Sequence, residues 1–222
     1  MPEPVAVLFD VDGTLVDSNY LHVHAWTVAF HDAGRPVDAS HVHRCIGMGS
    51  SQLLEELLGA DGTGPVGDRV KERHSQVYSG LAPLLRPFAG ARELVRKIAG
   101  RGARTVLATS APPDELEKLQ AALQLEDVLT GVTTGEDVDS AKPEPDLVEA
   151  ALAAGGVRAD RALMLGDSVW DVVAAKRAGV RCVGVLTGGT TEADLRAAGA
   201  VAVYDDAAAV LAALGTGPFA HL

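Results

Sequence analysis

Residues 5–18 read VAVLFDVDGTLVDS, an apolar run that ends in Asp10 and Asp12, followed by Gly13 and Thr14. The run 5–9 is too short for an ordinary helix and reads as a strand buried on both faces. A buried strand that leads straight into acids is costly, because ionised carboxylates at depth need a cation or hydrogen-bond donors. A lone Asp-Gly would read as the punctuation of an Asx-type turn; FDVDGT is more than that. Further along stand Thr109 and Ser110, then Lys142 in SAKPEPD, then Asp167 and Asp171 in GDSVWD. Singly, each has a plain explanation. Thr109-Ser110 can cap a helix that opens on proline, Lys142 can be a solvated loop lysine, and Ser168-x-x-Asp171 fits a capping box.

Together these residues suit phosphoryl transfer. That chemistry needs an in-line nucleophile, positive groups around the equatorial oxygens and a proton for the leaving oxygen. An aspartate can be the nucleophile, passing through an aspartyl-phosphate. Acids with few basic neighbours suit Mg²⁺, which takes oxygen ligands and offsets the repulsion between carboxylate and phosphate. A lysine, and hydroxyl or backbone N–H donors at a helix N-terminus, complete a phosphate clamp.

The elements that must hold these groups follow from pattern. Segments 18–33, 38–44, 50–58 and 69–79 read as helices, with a Gly-rich loop at 59–68 and no credible strand between 18 and 80. From 84–88, an extended segment, the texture changes. Helices at 89–99, 112–123, 143–154, 169–178, 192–198 and 207–214 alternate with strands at 105–109, 128–133, 163–166, 182–186 and 201–204. Alternation of this kind predicts an α/β fold, a parallel sheet covered by helices on both faces. Ligands of such sheets bind beyond the carboxyl ends of the strands, and the residues singled out above fall at those ends.

The bulk properties agree. A chain of 222 residues with 47% hydrophobic and 22% charged residues buries a real core. Its net charge of −11 argues against nucleic acid or an anionic membrane as partner, and leaves a phosphorylated substrate to be attracted locally. Cys45 and Cys182 lie far apart in no metal-ligand spacing and read as reduced, buried thiols. With no signal-like start and no long apolar span, the expectation is a cytoplasmic protein, monomeric or weakly homodimeric.

FDVDGT, ATS at 108–110, the lysine of SAKPEPD and GDSVWD at 166–171 resemble, in order, the four motifs of the haloacid dehalogenase superfamily of phosphotransferases. The nearest layout is the β-phosphoglucomutase and phosphoglycolate-phosphatase-like branch. The resemblance implies a Rossmann-like three-layer core, residues 1–16 and 84–222, with an inserted four-helix cap, residues 17–83, that opens and closes over the site. It makes Asp10 nucleophile and metal ligand, and Asp12 general acid/base that also offers its carbonyl to Mg²⁺. Thr109, Ser110 and Lys142 would hold the phosphoryl group, Asp167 would be the second acidic ligand, and Asp171 would lie in the outer shell. His22, followed by Ala25-Trp26, matches a cap histidine that reaches the site, and Gly47 in IGMGS matches the cap loop presented to substrate. His24, His41 and His43 read as surface residues.

The expected activity is a Mg²⁺-dependent phosphatase acting on a small phosphorylated metabolite; a sugar-phosphate mutase is the alternative, and a non-enzymatic binding module of the same fold is weaker because every acid and the lysine are retained. A dehalogenase has no need for Asp12. A phosphonatase needs a cap lysine for a Schiff base, and residues 1–70 contain none. A receiver-type domain lacks the helical insert. Against the mutase, the relatives carry a lysine before the cap-loop glycine and an arginine after it, whereas this chain has Ile46 and Ser50, with Arg44 the nearest substitute.

Overall fold

The computed structural model describes residues 5–135, 138 and 140–220. Strand β1 (Ala6–Phe9) is buried throughout, with Val7 and Phe9 in one hydrophobic cluster and Ala6 and Leu8 in another. Side chains of a strand point alternately to its two faces, so a run covered on both sides has no polar alternation to show.

Four α-helices follow: α1 (Asn19–Asp32), α2 (Ala39–Cys45), α3 (Ser50–Leu58) and α4 (Pro65–Leu81). They enclose a cluster of their own, built on Val23, Trp26, Phe30, Val42, Leu53 and Val70. After α5 (Ala91–Gly100) the chain alternates through β2 (Arg104–Ala108), α6 (Pro113–Leu123), β3 (Gly131–Thr133), α7 (Asp146–Gly155) and β4 (Ala162–Gly166). It ends with α8 (Val169–Arg177), β5 (Arg181–Val185), α9 (Glu192–Ala198), β6 (Ala202–Tyr204) and α10 (Ala207–Ala212). The six strands form one parallel sheet in the order β3-β2-β1-β4-β5-β6. Leu94 and Ile98 of α5, Leu119 of α6 and Val210 of α10 pack on one face; Leu147 and Ala151 of α7, Val172 of α8 and Leu195 of α9 pack on the other. This is the three-layer α/β architecture expected from the alternation. Strand β1 sits between β2 and β4, so the winding reverses there and leaves a crevice beyond the carboxyl ends of β1 and β4. Among the described residues no helix is long and apolar enough to cross a membrane, and Cys45 and Cys182 are free and buried.

Several bounds differ from the sequence reading. The Gly-rich segment 59–68 is not a loop: Gly59–Thr63 forms a 3-10 turn and α4 already starts at Pro65. Proline fits the first helical turn, where its missing N–H has no partner to lose. The absence of a side chain at Gly67 lets the start of α4 press on that turn, since a Cβ there would lie 1.9 Å from the Gly62 carbonyl oxygen, and bare Gly62 lets the turn press on α3, where a Cβ would lie 2.1 Å from the Leu54 carbonyl oxygen. Segment 84–88 begins with the 3-10 turn Ala82–Leu84 before Pro87 bridges Val16. The strand expected at 128–133 is only Gly131–Thr133, because Val128 and Leu129 close a turn on the Leu125 carbonyl. Helix α7 starts at Asp146, after Pro145, since a residue ahead of proline, here Glu144, is disfavoured in helical conformation.

Glycine positions in α4 give a test. Gly67→Ala is expected to lower stability by about 1–3 kcal/mol through overpacking against backbone. Gly80→Ala, with nothing within 4 Å of the added methyl, is expected to raise it by about 0.5–1 kcal/mol. Urea unfolding of the two variants checks the opposite signs.

Candidate active site

Asp10 follows β1 directly, and its backbone N–H donates to the Leu165 carbonyl (2.9 Å), carrying the β1–β4 ladder one residue past the strand. Its Oδ1 lies 2.5 Å from Lys142 Nζ, and Asp171 Oδ1 lies 2.7 Å from the same ammonium. Lys142 is only 1% exposed, the one lysine or arginine among the buried described residues, so the solvated-loop explanation fails. Asp167 stands at the end of β4, its Oδ1 accepting from Thr14 Oγ1 and its Oδ2 from Asn19 Nδ2, both at 2.8 Å. Asp171 Oδ2 accepts from the Ser168 N–H (3.0 Å) and hydroxyl (2.7 Å), closing a capping box at the start of α8. The capping-box reading of that motif holds, and the same aspartate also pairs with the buried lysine. Asp10, Asp167 and Asp171 each bring a carboxylate oxygen within 4.8 Å of the others.

Burial holds the Asp10 carboxyl well above its ordinary range; Lys142 opposes this, while Asp171, Asp167 and Asp12 reinforce it. Burial, then the Asp171 charge, pushes Asp167 up to about 7 against the hydrogen bonds from Thr14 and Asn19. Burial disfavours the Lys142 ammonium, but Asp10 and Asp171 outweigh it and raise its pKa, so the charge stays. Three buried carboxylates thus share one ammonium, a deficit of positive charge in an all-oxygen donor set. Such a set fits a hard divalent cation.

Asp12 belongs to a different network. Its Oδ1 accepts from Ser18 Oγ (2.6 Å) and lies 3.3 Å from His22 Nε2. The Ser18 hydroxyl is thereby diverted from capping α1, where it makes no cap bond. His22 Nδ1 is 3.1 Å from His74 Nε2, and His74 Nδ1 is 4.0 Å from Glu115 Oε1. Tyr78 stacks on His22 (3.9 Å) and Trp26 on His74 (4.0 Å), fixing both imidazoles. Burial opposes the charge on Asp12, yet His22 and Ser18 prevail and its pKa is lowered. Burial likewise opposes charge on His22, and Asp12 prevails to raise it. Burial and the His22 charge push His74 down to about 2, leaving it neutral, while burial raises Glu115 to about 7.

A cavity of about 130 Å³ opens over Asp10 and Asp12, between the helical insert and the carboxyl ends of the strands. His22, Trp26, Ile46 and Gly47 face it from the insert, and Ser110 and Glu115 from the core side. Ser110 Oγ is buried with no partner among the described residues. Thr109 is buried but does not line the cavity; its hydroxyl accepts from the Ala111 N–H (3.1 Å), and the helix is capped instead by Pro112. Gly47 packs against Ser168, where a Cβ would come within 2.7 Å of the hydroxyl. The insert is tied to the core by Trp170 Nε1–H to the Arg44 carbonyl (3.1 Å) and Gln52 Nε2 to the Ala141 carbonyl (3.1 Å). His43 corrects the surface reading: it donates to the Gly188 carbonyl (2.8 Å) and stacks on Tyr20. His24 and His41 are exposed as expected.

Sequence reasoning missed Thr14, Asn19, His74 and Glu115, and it missed Lys71, an insert lysine on the cavity that removes the ground on which a phosphonatase was set aside. Thr14 and Asn19 lay beside the first acidic motif and signalled nothing beyond turn and helix start. Lys71, His74, Ser75 and Tyr78 share one face of α4 by their spacing, a signal that only the facing α1 turns into a site.

The sequence model of the haloacid dehalogenase-like hydrolase family matches residues 7–185. A phosphoglycolate phosphatase from Rhodospirillum rubrum is 35% identical over 219 residues, covering 93% of this chain and 89% of that protein. A phosphorylated carbohydrates phosphatase from Thermotoga maritima is 32% identical, covering 89% of this chain and 93% of that protein. The crystal structure of a hydrolase from Pseudomonas syringae superimposes with a TM-score of 0.89 at 34% identity, over 94% of this chain and 96% of that one. With its sheet order and the acid-and-lysine cluster at the ends of β1 and β4, the chain belongs to the haloacid dehalogenase-like hydrolases and is an enzyme of their phosphatase branch.

Proposed function

We propose that the chain is a Mg²⁺-dependent phosphatase that hydrolyses a small phosphorylated metabolite through an aspartyl-phosphate on Asp10. The observation that carries this is the placement of Asp10, ion-paired with Lys142 and opening into a cavity that Asp12 also lines. An Asp10 carboxylate oxygen attacks phosphorus while Asp12 passes a proton from the adjacent His22 imidazolium to the departing oxygen of the ester. Water then attacks the phosphoryl group, Asp12 takes the proton of that water, and Asp10 is freed with release of inorganic phosphate. Lys142 and the Ser110 hydroxyl, which has no partner among the described residues, hold the equatorial oxygens, and Thr109 shapes the loop that presents Ser110. Asp10 and Asp167, with the Asp12 carbonyl, would hold Mg²⁺, whose charge offsets the repulsion between carboxylate and phosphate. Asp171 positions Lys142 rather than binding the ion, since its oxygens are taken by Lys142 and Ser168. Residues 17–83 act as a cap over a core of residues 1–16 and 84–222, and His22 orients Asp12 from the cap.

The mutase reading loses support at the cap loop. Ile46 and Ser50 line the cavity where mutase relatives carry cations, and exposed Arg44 lies in a separate groove beside Trp170.

A screen of phosphorylated metabolites with Mg²⁺ and with EDTA, reading released phosphate, tests the activity; release independent of metal would overturn the Mg²⁺ assignment. Asp10→Asn, which keeps size and shape, is expected to cut turnover of para-nitrophenyl phosphate by about 10³-fold or more with unchanged circular dichroism. Near-native turnover would rule out the covalent route. Asp167→Asn is expected to raise the Mg²⁺ concentration for half-maximal rate by about tenfold or more. Asp171→Asn should instead lose about 3–5 kcal/mol of stability, since it strips a partner from a buried charge; equal metal dependence of the two variants contradicts the assignment. Incubation with β-glucose 1-phosphate and a trace of the 1,6-bisphosphate should release phosphate, and efficient formation of glucose 6-phosphate with little free phosphate would favour the mutase.

A further inference from the structure

Three buried titratable groups, His22, His74 and Glu115, stand in line behind Asp12, and only the first touches it. His22 of α1 faces Asp12 through Nε2 at 3.3 Å, and its Nδ1 lies 3.1 Å from Nε2 of His74 on α4. The two rings are 13° from parallel with centroids 5.3 Å apart, so the facing nitrogens meet edge to edge and hold one proton between them. On its far side His74 turns Nδ1 toward Glu115 Oε1 of α6, at 4.0 Å. That gap is too long for a hydrogen bond, and the Glu115 side chain makes none among the described residues. Yet Glu115 is 4% exposed and His74 5%. Burying a carboxylate without donors is costly. A first-turn acid suits the dipole of α6, but exposed Asp114 already supplies one, and the dipole does not explain why Glu115 points inward at an imidazole.

We propose that His74 and Glu115 are positioning residues for proton transfer: Glu115 holds the His74 proton on Nδ1, so that the bare Nε2 accepts from His22 Nδ1–H and the proton offered to Asp12 is always the one on His22 Nε2. The assignment rests on the phosphatase reading and deepens it along the proton route. A carboxylate behind an imidazole fixes its tautomer through its field on the N–H that points at it. When the ester oxygen departs, Asp12 protonates it and takes the Nε2 proton of His22, which becomes neutral with its remaining proton on Nδ1. When water attacks the phosphoryl group, Asp12 takes a proton from it and returns one to His22 Nε2. His74 stays neutral throughout, as burial beside His22 dictates. Without the His74 acceptor, a neutral His22 is free to keep its proton on Nε2, which leaves that nitrogen unable to take one back.

The test pairs phenyl phosphate, whose departing oxygen needs a proton, with 2,4-dinitrophenyl phosphate, whose departing oxygen does not. Assays with Mg²⁺ at about pH 8 keep Glu115 mostly ionised, since burial raises it to about 7. His74→Phe, which keeps a ring against Trp26, should lower kcat/KM for phenyl phosphate by about tenfold or more and for 2,4-dinitrophenyl phosphate by less than about twofold. Glu115→Gln, which keeps shape and removes charge, should show the same pattern with a loss of about threefold or more on phenyl phosphate. His74→Gln, whose side-chain carbonyl can accept from His22 where Nε2 did, should restore most of the His74→Phe loss. His74 and Glu115 also border the cavity, and a role in holding substrate or structure lowers both esters alike; equal losses, or none, overturn the proposal. Should His74→Phe fail to fold, Glu115→Gln decides by the same criterion. Nitrogen NMR of the imidazoles needs no turnover and separates the two readings. If the chain hydrolyses neither these esters nor any metabolite of the screen while His74 carries its proton on Nδ1 and Glu115→Gln shifts it toward Nε2, the phosphatase reading fails and the proton arrangement stands. A wild-type His74 protonated on Nε2 removes the proposal whatever the turnover.

Discussion

Lys142 is the point on which the site depends. It comes from the loop ahead of α7, is almost fully buried, and places its ammonium between the carboxylates of Asp10 and Asp171. Taking a lysine and three aspartates out of water costs several kcal/mol per ion, and one ammonium cannot compensate three carboxylates. A sequence selected for stability alone would fill this space with apolar side chains. The cluster persists because the sheet around it is rigid: β1 and β4 are paired residue by residue from Ala6↔Ala162 to Phe9↔Leu165. Asp10 and Asp167 therefore have little freedom to move apart.

The second constraint is the helical insert, which supplies the roof of the cavity and the hydrogen bonds that the core cannot. Ser18 and His22 orient Asp12, and Asn19 reaches across to Asp167. All three lie at the beginning of α1 or immediately ahead of it, so the helix that starts the insert also completes the site beneath it. Behind them the stacked rings of Trp26, His74, His22 and Tyr78 make a packed wall. A wall of this kind holds imidazoles in place without relying on their charge. The Asn19 and His22 contacts tie the arrangement of the acids to the helix that starts the insert.

The two sides of the cavity are held by different means. Its core side is lined by residues at or just beyond the strand ends, which are positioned by the sheet. Its insert side is lined from α1, α3, α4 and the loop at Ile46–Ser50, positioned by helix packing on the insert's own cluster. Changes in α4 can alter the cavity wall without disturbing the ladder that holds Asp10.

The sequence by itself determined the sheet, the insert and the acids. Residues 5–9 are apolar without alternation because both faces of β1 are covered, and this is legible in one dimension. Asp10 and Asp12 stand out because charge follows a buried strand, a local conflict that needs no partner to be noticed, whereas Lys142 and Asp167 stand out only in combination with the other motifs. Helix bounds near proline and glycine were less legible: whether 59–68 is a loop or a packed turn depends on whether Gly62 and Gly67 meet, and only the fold brings them together. Tertiary structure alone decided that His43 is a contact between insert and core, that Ser18 serves Asp12 instead of capping, and that Lys71, His74 and Glu115 share one cavity. The physical reason is range. Strand and helix patterns arise from neighbours a few residues apart, whereas His22 and His74, or Lys142 and Asp10, meet across 52 and 132 positions of chain, and no local periodicity records which faces will pack together.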